Sequence, residues 1–266
     1  MEAVEDALPG WSSDAAGLER LAEAIVDAEH FVAFTGAGIS TESGIPDFRS
    51  PGGIWNRYKP IDYQSFLASE EARREYWRRG RNTYRVIREA RPNVAHLALA
   101  ELERLGRLRF LITQNIDGLH FAAGSSPERT VELHGTAHRV YCMDCGAETP
   151  RDAIAARLEA GEELPACLVC GGTLRAATVG FGEPLPQAPW RLALDQARRS
   201  DLFLVIGSSL VVNPAAQLPL AASAAGAYLV IVNQEPTPLD RHAHLLLRGS
   251  AGAIMARLMD EVRARL

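Results

Sequence analysis

Four short runs in this chain are almost entirely apolar: FVAFT (31–35), LRFLIT (108–113), LFLVI (202–206) and YLVIV (228–232). Continuous apolar runs of this length predict strands buried on both faces, as in a parallel sheet. Each run gives way at once to a small or polar residue, namely Gly36, Gln114, Gly207 and Asn233. Between the runs the spacing turns helical. Leu18, Leu21, Ala22, Ile25 and Val26 predict a helix over 14–29 with Ser13 or Asp14 as its cap. A second helix is expected from Pro92 through Leu105, stopped by Gly106, and others over 189–199 and 215–225. Strands alternating with helices predict an α/β fold: a Rossmann-like parallel sheet with helices on both faces.

Two stretches break the alternation. Residues 52–91 are rich in Arg, Tyr and Trp and helical in character, and residues 138–178 hold every cysteine of the chain. The expected organisation is a sheet domain made of 14–51, 92–137 and 179–266, with 52–91 as an inserted helical module and 138–178 as a second insertion. Together the insertions would form a small lobe.

Cysteine spacing changes the picture most. Cys142 and Cys145 form one C-x2-C pair, Cys167 and Cys170 another, with 21 residues between them. Two such pairs can place four thiolates around one Zn2+, which closes the coordination sphere and predicts a structural metal in a zinc ribbon. A disulfide framework, the alternative in an exported protein, would staple little of the chain.

Composition then bounds the rest. The chain has 266 residues, 47% of them hydrophobic, and a net charge of −5. That suits a globular enzyme and gives no bulk reason to coat nucleic acid or an anionic membrane, so neither partner is expected. The N-terminal MEAVEDALPG lacks the pattern of a targeting peptide, and no run is long enough to span a bilayer. A cytoplasmic protein, a monomer or weak oligomer, is expected.

Ligands of open α/β sheets bind outside the carboxyl ends of the strands, so the residues there are the candidates for chemistry. Gly36 and Gly38 would let the backbone approach a pyrophosphate, with a helix opening at Ile39, although a plain tight turn would leave the same trace. Pro46-Asp47-Phe48-Arg49 adds an acid, an aromatic ring and a guanidinium just beyond. Gln114, Asn115 and Asp117 could hydrogen-bond a ribose or a carboxamide. Gly207, Ser208, Ser209 and Asn233 suit close contact with phosphate or ribose. His134 is the candidate general base. His120 and His138 compete for that role, and His96, His242 and His244 read as solvated or core histidines.

Taken together the motifs resemble the sirtuins, NAD-dependent protein-lysine deacylases. The resemblance runs from about Phe34 to Arg257 and rests on GAGISTESGIPDFRSPGGIW, PNVAH, TQNIDGLH, ELHG, the two CxxC pairs, VGFGE, GSSLVVNPA and VNQEPT, in that order. It implies that Gly36, Ala37 and Gly38 cradle the NAD phosphates and that Asp47, Phe48 and Arg49 lie on a loop closing over NAD. Gln114, Asn115 and Asp117 would line the nicotinamide and ribose pocket, and Gly207, Ser208, Ser209 and Asn233 the adenosine side. His134 and Asn115 would be catalytic. Val179, Phe181, Gly182 and Glu183, with Leu210 and Val211, would hold the acyl-lysine peptide as an added strand.

The reaction so implied consumes NAD as co-substrate. The acyl oxygen attacks the ribose carbon as nicotinamide leaves, and His134 then deprotonates a ribose hydroxyl that attacks the resulting imidate. The products are free lysine and O-acyl-ADP-ribose; no hydride moves, which sets aside the dehydrogenase that a glycine-rich α/β sheet would otherwise suggest.

Two departures from the family pattern stand out. Ser208 replaces a Thr, which keeps the hydroxyl, and the Pro usual a few residues ahead of VGFGE is missing from LRAATVGFGE, where Ala176 and Ala177 follow Arg175, which would loosen the peptide edge. Tyr76 with Arg79 has the spacing of the Tyr-x-x-Arg pair by which succinyl- or malonyl-preferring members bind an acyl carboxylate, whereas counting back from Pro92 favours Arg78 and Arg81; a solvated basic face explains the arginines equally, and acetyl is the expected group. A protein mono-ADP-ribosyltransferase using the same NAD pocket and a deacylase preferring succinyl, malonyl or longer acyl groups are the alternatives. A zinc-ribbon binding module that consumes no NAD is a third.

Overall fold

The computed structural model describes residues 15–47 and 60–266. Ser13, Asp14, Phe48 and Arg49 lie outside the described residues. The chain opens with helix α1 (Ala15–Asp27), whose Leu18, Leu21, Ala22 and Ile25 are buried. Strand β1 (Phe31–Thr35) follows, buried at all five positions. Where a helix was expected at Ile39, the chain forms a seven-residue 3-10 helix, Ala37–Ser43, ended by Gly44 at φ 83°. The GAGIST segment therefore runs into a tight 3-10 helix, with no α-helix N-terminus behind it.

Helices α2 (Tyr63–Ala68) and α3 (Glu70–Glu89) fill the first interruption, capped by Asp62 and Ser69 side chains respectively. Helix α4 (Val94–Arg104) is capped by Asn93, which forms a capping box with His96, and Gly106 at φ 73° ends it as expected. Strand β2 (Leu108–Thr113), helix α5 (Leu119–Ala123) and the three-residue strand β3 (Thr130–Glu132) complete this half of the sheet. The cysteine segment contains β4 (Gly135–Cys142), β5 (Glu148–Pro150), helix α6 (Arg151–Glu159) and β6 (Leu174–Thr178). The remainder alternates helix and strand: α7 (Gln187–Arg199), β7 (Leu202–Ile206), α8 (Gln217–Ala224), β8 (Tyr228–Asn233), β9 (Leu245–Arg248) and α9 (Ala251–Arg263).

Six strands form one sheet in the order β3-β2-β1-β7-β8-β9, every neighbouring pair parallel. The four expected strands are its centre. The two edges, β3 and β9, were not expected, because three or four residues carry too little pattern. Alternation along each strand splits the core in two: Phe31 and Ala33 face a cluster with α1, α4 and α9, while Val32 and Phe34 face one with α7 and α8. Burying a side chain such as Phe34 contributes about 1.5–3 kcal/mol. The order reverses between β1 and β7, so the crevice lies at that switch point.

The second sheet, β5-β4-β6, is antiparallel. Trp77 of α3 is fully buried against Val140, Cys142, Ile154, Leu158, Cys167 and Leu174, so the two interrupting segments share one hydrophobic cluster. Among the described residues, no helix is long and apolar enough to cross a membrane.

Candidate active site

The floor of the crevice is built from main chain. Gly38 N donates to Gly207 O at 2.8 Å, and Gly36 N to Ile206 O at 3.1 Å. A Cβ on Gly36 would lie 2.9 Å from Gly207 O, and one on Gly38 2.8 Å from it. Gly207 itself sits at φ 62°, where a Cβ would fall 2.3 Å from Ile39 N. The loops after β1 and β7 thus interlock backbone against backbone, and the glycines serve that seam as well as any ligand above it. Ala37, between the two glycines, is half-buried.

Hydrogen-bonding groups gather over this seam. Gln114 Nε2 donates to Ser208 Oγ at 2.8 Å. Buried Asn115 donates from Nδ2 to Gly36 O at 3.2 Å and to Ser40 Oγ at 3.0 Å. Ser40 Oγ in turn donates a hydrogen bond to Asp117 Oδ2 at 2.7 Å, and Asp117 Oδ1 accepts from Leu119 N. With both amide protons of Asn115 committed, its Oδ1 is left as an oriented acceptor. Ser209 and Asn233 are half-buried at the next strand ends, and Asn233 Nδ2 bonds Glu235 O at 2.7 Å. Asp47 is half-buried beyond the 3-10 turn. Strand-end donors and acceptors on a side-chain-free floor fit a dinucleotide: flat phosphate access below, hydroxyl and carboxamide partners at the walls.

His134 follows β3 and stands at the join of the two sheets. Its Nδ1 lies 2.8 Å from Gln114 O. A carbonyl only accepts, so Nδ1 carries the proton and Nε2 the basic lone pair. Burial pushes the imidazole below its ordinary pKa, with the Gln114 carbonyl opposing. A neutral base is the outcome. The competitors are placed elsewhere: His120 is buried beneath the floor against Thr35, pushed down to about 3 mainly by burial, and His138 donates from Nε2 to Asp117 O at 2.7 Å. His96 is fully buried against Asn93, its pKa lowered to about 4 by burial, as a satisfied core histidine should be.

Val179–Glu183 leave the end of β6. Val179 N donates to His134 O at 2.9 Å, so this edge is tied directly to the histidine. Phe181 and Gly182 are exposed, while the Glu183 carboxylate is engaged inside the chain by Arg175 and Gly180 N. After β7, Leu210 is buried at φ 53°, a conformation bulky residues rarely hold, and Val211 is exposed.

The family model described as "Sir2 family" matches residues 36–214. The chain belongs to the Sir2 family. It is 48% identical over 89% of its length to NAD-dependent protein deacetylase 1 of Bradyrhizobium diazoefficiens, covering 92% of that protein. It is 45% identical over 92% of its length to NAD-dependent protein deacylase 2 of Pyrobaculum aerophilum, covering 96% of it. Among solved structures, a Sir2 complex with a p53 peptide and NAD+ superposes with a TM-score of 0.86 at 38% identity, covering 93% of this chain and 99% of that one. A Sir2 protein bound to a propionylated peptide superposes at 0.83, with 38% identity and coverages of 92% and 98%.

In this Sir2-family chain the four cysteine sulfurs lie within 4.8 Å of one another. Cys142 Sγ is 3.5 Å from Cys170 Sγ, and Cys145 Sγ 3.8 Å from Cys167 Sγ. Sulfurs held about 2.3 Å from one tetrahedral ion stand about 3.8 Å apart, so the cluster fits Zn2+ and is far too open for disulfides. Cys142 and Cys167 are buried in the Trp77 cluster, which makes the metal a structural one for this sirtuin.

The sequence assigns no role to Ser40 or to Glu132 of ELHG. Ser40 stood in the GAGIST motif, but only the fold shows it joining Asn115 to Asp117. Glu132, two residues before His134, is lifted to about 7 by burial, with Asp117 adding and Arg139 opposing. Its folded pKa exceeds the unfolded value of 4.5, so its contribution to stability is full below about pH 4.5 and is lost as pH rises through about 7. Glu132→Gln is therefore expected to stabilise this sirtuin by about 1–3 kcal/mol at pH 8 and by almost nothing at pH 4. Thermal melts at the two pH values check this, and equal shifts at both would refute it.

Proposed function

We propose that this chain removes a neutral acyl group, acetyl in the simplest case, from protein lysines, consuming NAD and releasing nicotinamide and O-acyl-ADP-ribose. The observation that carries the reading is His134. Its proton is fixed on Nδ1 by the Gln114 carbonyl, and its main chain holds the Val179 edge on which an acyl-lysine peptide would lie. The names of the relatives point the same way.

In this reading Gly36, Ala37 and Gly38 with Gly207 form the phosphate floor, and Gln114, Asn115 and Asp117 line the nicotinamide end. Ser208, Ser209 and Asn233 take the adenosine side, with Asp47 beside the cofactor; Phe48 and Arg49 lie outside the described residues. Asn115 Oδ1 accepts from a ribose hydroxyl or the carboxamide, and His134 Nε2 takes the proton of the hydroxyl that attacks the acyl carbon. Val179, Phe181 and Gly182 with Leu210 and Val211 hold the peptide; Glu183 shapes that edge from within. The sheet domain supplies the NAD half, 14–51, 92–137 and 179–266, and the insertions 52–91 and 138–178 close the other side. The four cysteines form no disulfide, in keeping with a reducing cytoplasmic compartment; a monomer or weak oligomer is the proposed state.

A neutral acyl group is favoured because Tyr76, Arg79 and Arg78, three of the four candidate carboxylate binders, are engaged within the chain; Arg81 is exposed. The Tyr76 hydroxyl is held by the Ala176 backbone and Thr178, and its ring packs edge-on to Phe66 and Trp77. Arg79 and Arg78 both bond Glu75 at 2.5 Å. Mass spectrometry of paired acetyl- and succinyl-lysine peptides with NAD tests this. Loss of acetyl with O-acetyl-ADP-ribose formed is expected; preferential loss of succinyl overturns the acyl assignment, and transfer of ADP-ribose to protein without acyl loss overturns the deacylase.

A further inference from the structure

Arg175, on β6 just ahead of the peptide edge, is only 3% exposed, yet nothing in the proposed chemistry uses it. Its guanidinium spans three separate parts of the molecule. It holds Glu183 with both terminal nitrogens, NH1 to Oε1 at 2.9 Å and NH2 to Oε2 at 2.5 Å. NH1 also donates to the Tyr141 hydroxyl of β4 at 3.0 Å. Its carbon lies 4.9 Å over the Tyr63 ring and 5.8 Å over the Phe66 ring, both on α2. The same carboxylate that Arg175 grips accepts from Gly180 N at 2.7 Å, and Phe181 O accepts from Tyr63 N at 2.9 Å. At Gly180 a side chain would collide with the guanidinium, its Cβ falling 2.8 Å from NH2.

We infer that Arg175 is a positioning residue that sets the peptide-accepting shape of Val179–Glu183 by clamping Glu183 and Gly180 against α2. A fork-to-fork arginine–carboxylate pair fixes direction as well as distance, which a lysine's single point charge does not. The clamp also answers the departure at Ala176 and Ala177: with no proline to stiffen β6, the ring-stacked guanidinium holds the edge instead. Val179 hangs on His134 O, so a displaced edge would present the acyl-lysine out of line with the base. This rests on the deacylase reading of the site.

The test compares wild type with Arg175→Lys and Glu183→Gln, measuring binding of a fluorescent acetyl-lysine peptide and steady-state turnover at saturating NAD. Both variants are expected to weaken peptide binding and raise its KM by about tenfold, with kcat at saturating peptide changed by less than about threefold and zinc content unchanged. Glu183→Gln keeps the side-chain shape and serves if Arg175→Lys fails to fold. Wild-type peptide affinity in the folded variants would overturn the inference, as would an effect seen only where zinc or melting temperature is lost. Peptide binding that responds to the variants without any acyl loss in wild type would instead count against the deacylase reading, leaving the clamp supported.

Discussion

His134→Ala is expected to lower acyl removal by about 10²–10⁴ while leaving NAD and peptide affinity nearly unchanged. The histidine takes a proton in the second half of the reaction, after the acyl oxygen has displaced nicotinamide, so the variant should still release nicotinamide when peptide is present. Its acid limb is fixed by the same geometry. Burial holds the imidazole below its ordinary 6.5, with the Gln114 hydrogen bond opposing, so the neutral base persists as pH falls past that value and activity declines only at lower pH. The pH profile of kcat/KM checks the placement: an acid limb above 6.5, or full activity in the alanine variant, would remove His134 from the role.

Zinc loss should be the more drastic change. A four-thiolate zinc contributes on the order of 10 kcal/mol or more to a small metal-dependent fold, which matches or exceeds the whole stability of a typical domain at about 5–15 kcal/mol. Cys142→Ser, or stripping with a strong chelator, is expected to unfold the β4-β5-β6 sheet and abolish deacylation. The larger sheet should survive, because its two hydrophobic clusters draw no residue from the zinc-ribbon segment 138–178. The prediction is therefore two-part: far-ultraviolet circular dichroism largely kept, activity and bound zinc lost together. Full activity in protein shown to be zinc-free would refute it.

The central strands were legible because double burial writes itself as unbroken apolar runs, and Gly106 marked its helix end because only a residue tolerant of left-handed φ fits there. Strand β3 was not legible. Three residues at a sheet edge leave no period, and Glu132 within it looks like surface until the fold encloses it. The cysteines named their own site, since metal spacing survives any loop geometry. Ser40 and Arg175 did not, because their meaning lies in partners far along the chain: Asn115 and Asp117 for one, Glu183, Tyr141 and α2 for the other. The helix expected at Ile39 failed for a related reason. Gly36, Gly38 and Gly207 draw the two loops together too tightly for an α-helical first turn, a constraint visible only once β1 and β7 are neighbours.

That seam restricts how such an enzyme can be re-engineered. Three positions from two distant segments tolerate no side chain, so random variation there would yield misfolded clones rather than altered ones. A library aimed at a different dinucleotide would have to leave the floor untouched and draw its diversity from rim positions such as Ser209 and Asn233, whose side chains are half-buried and outside the glycine seam.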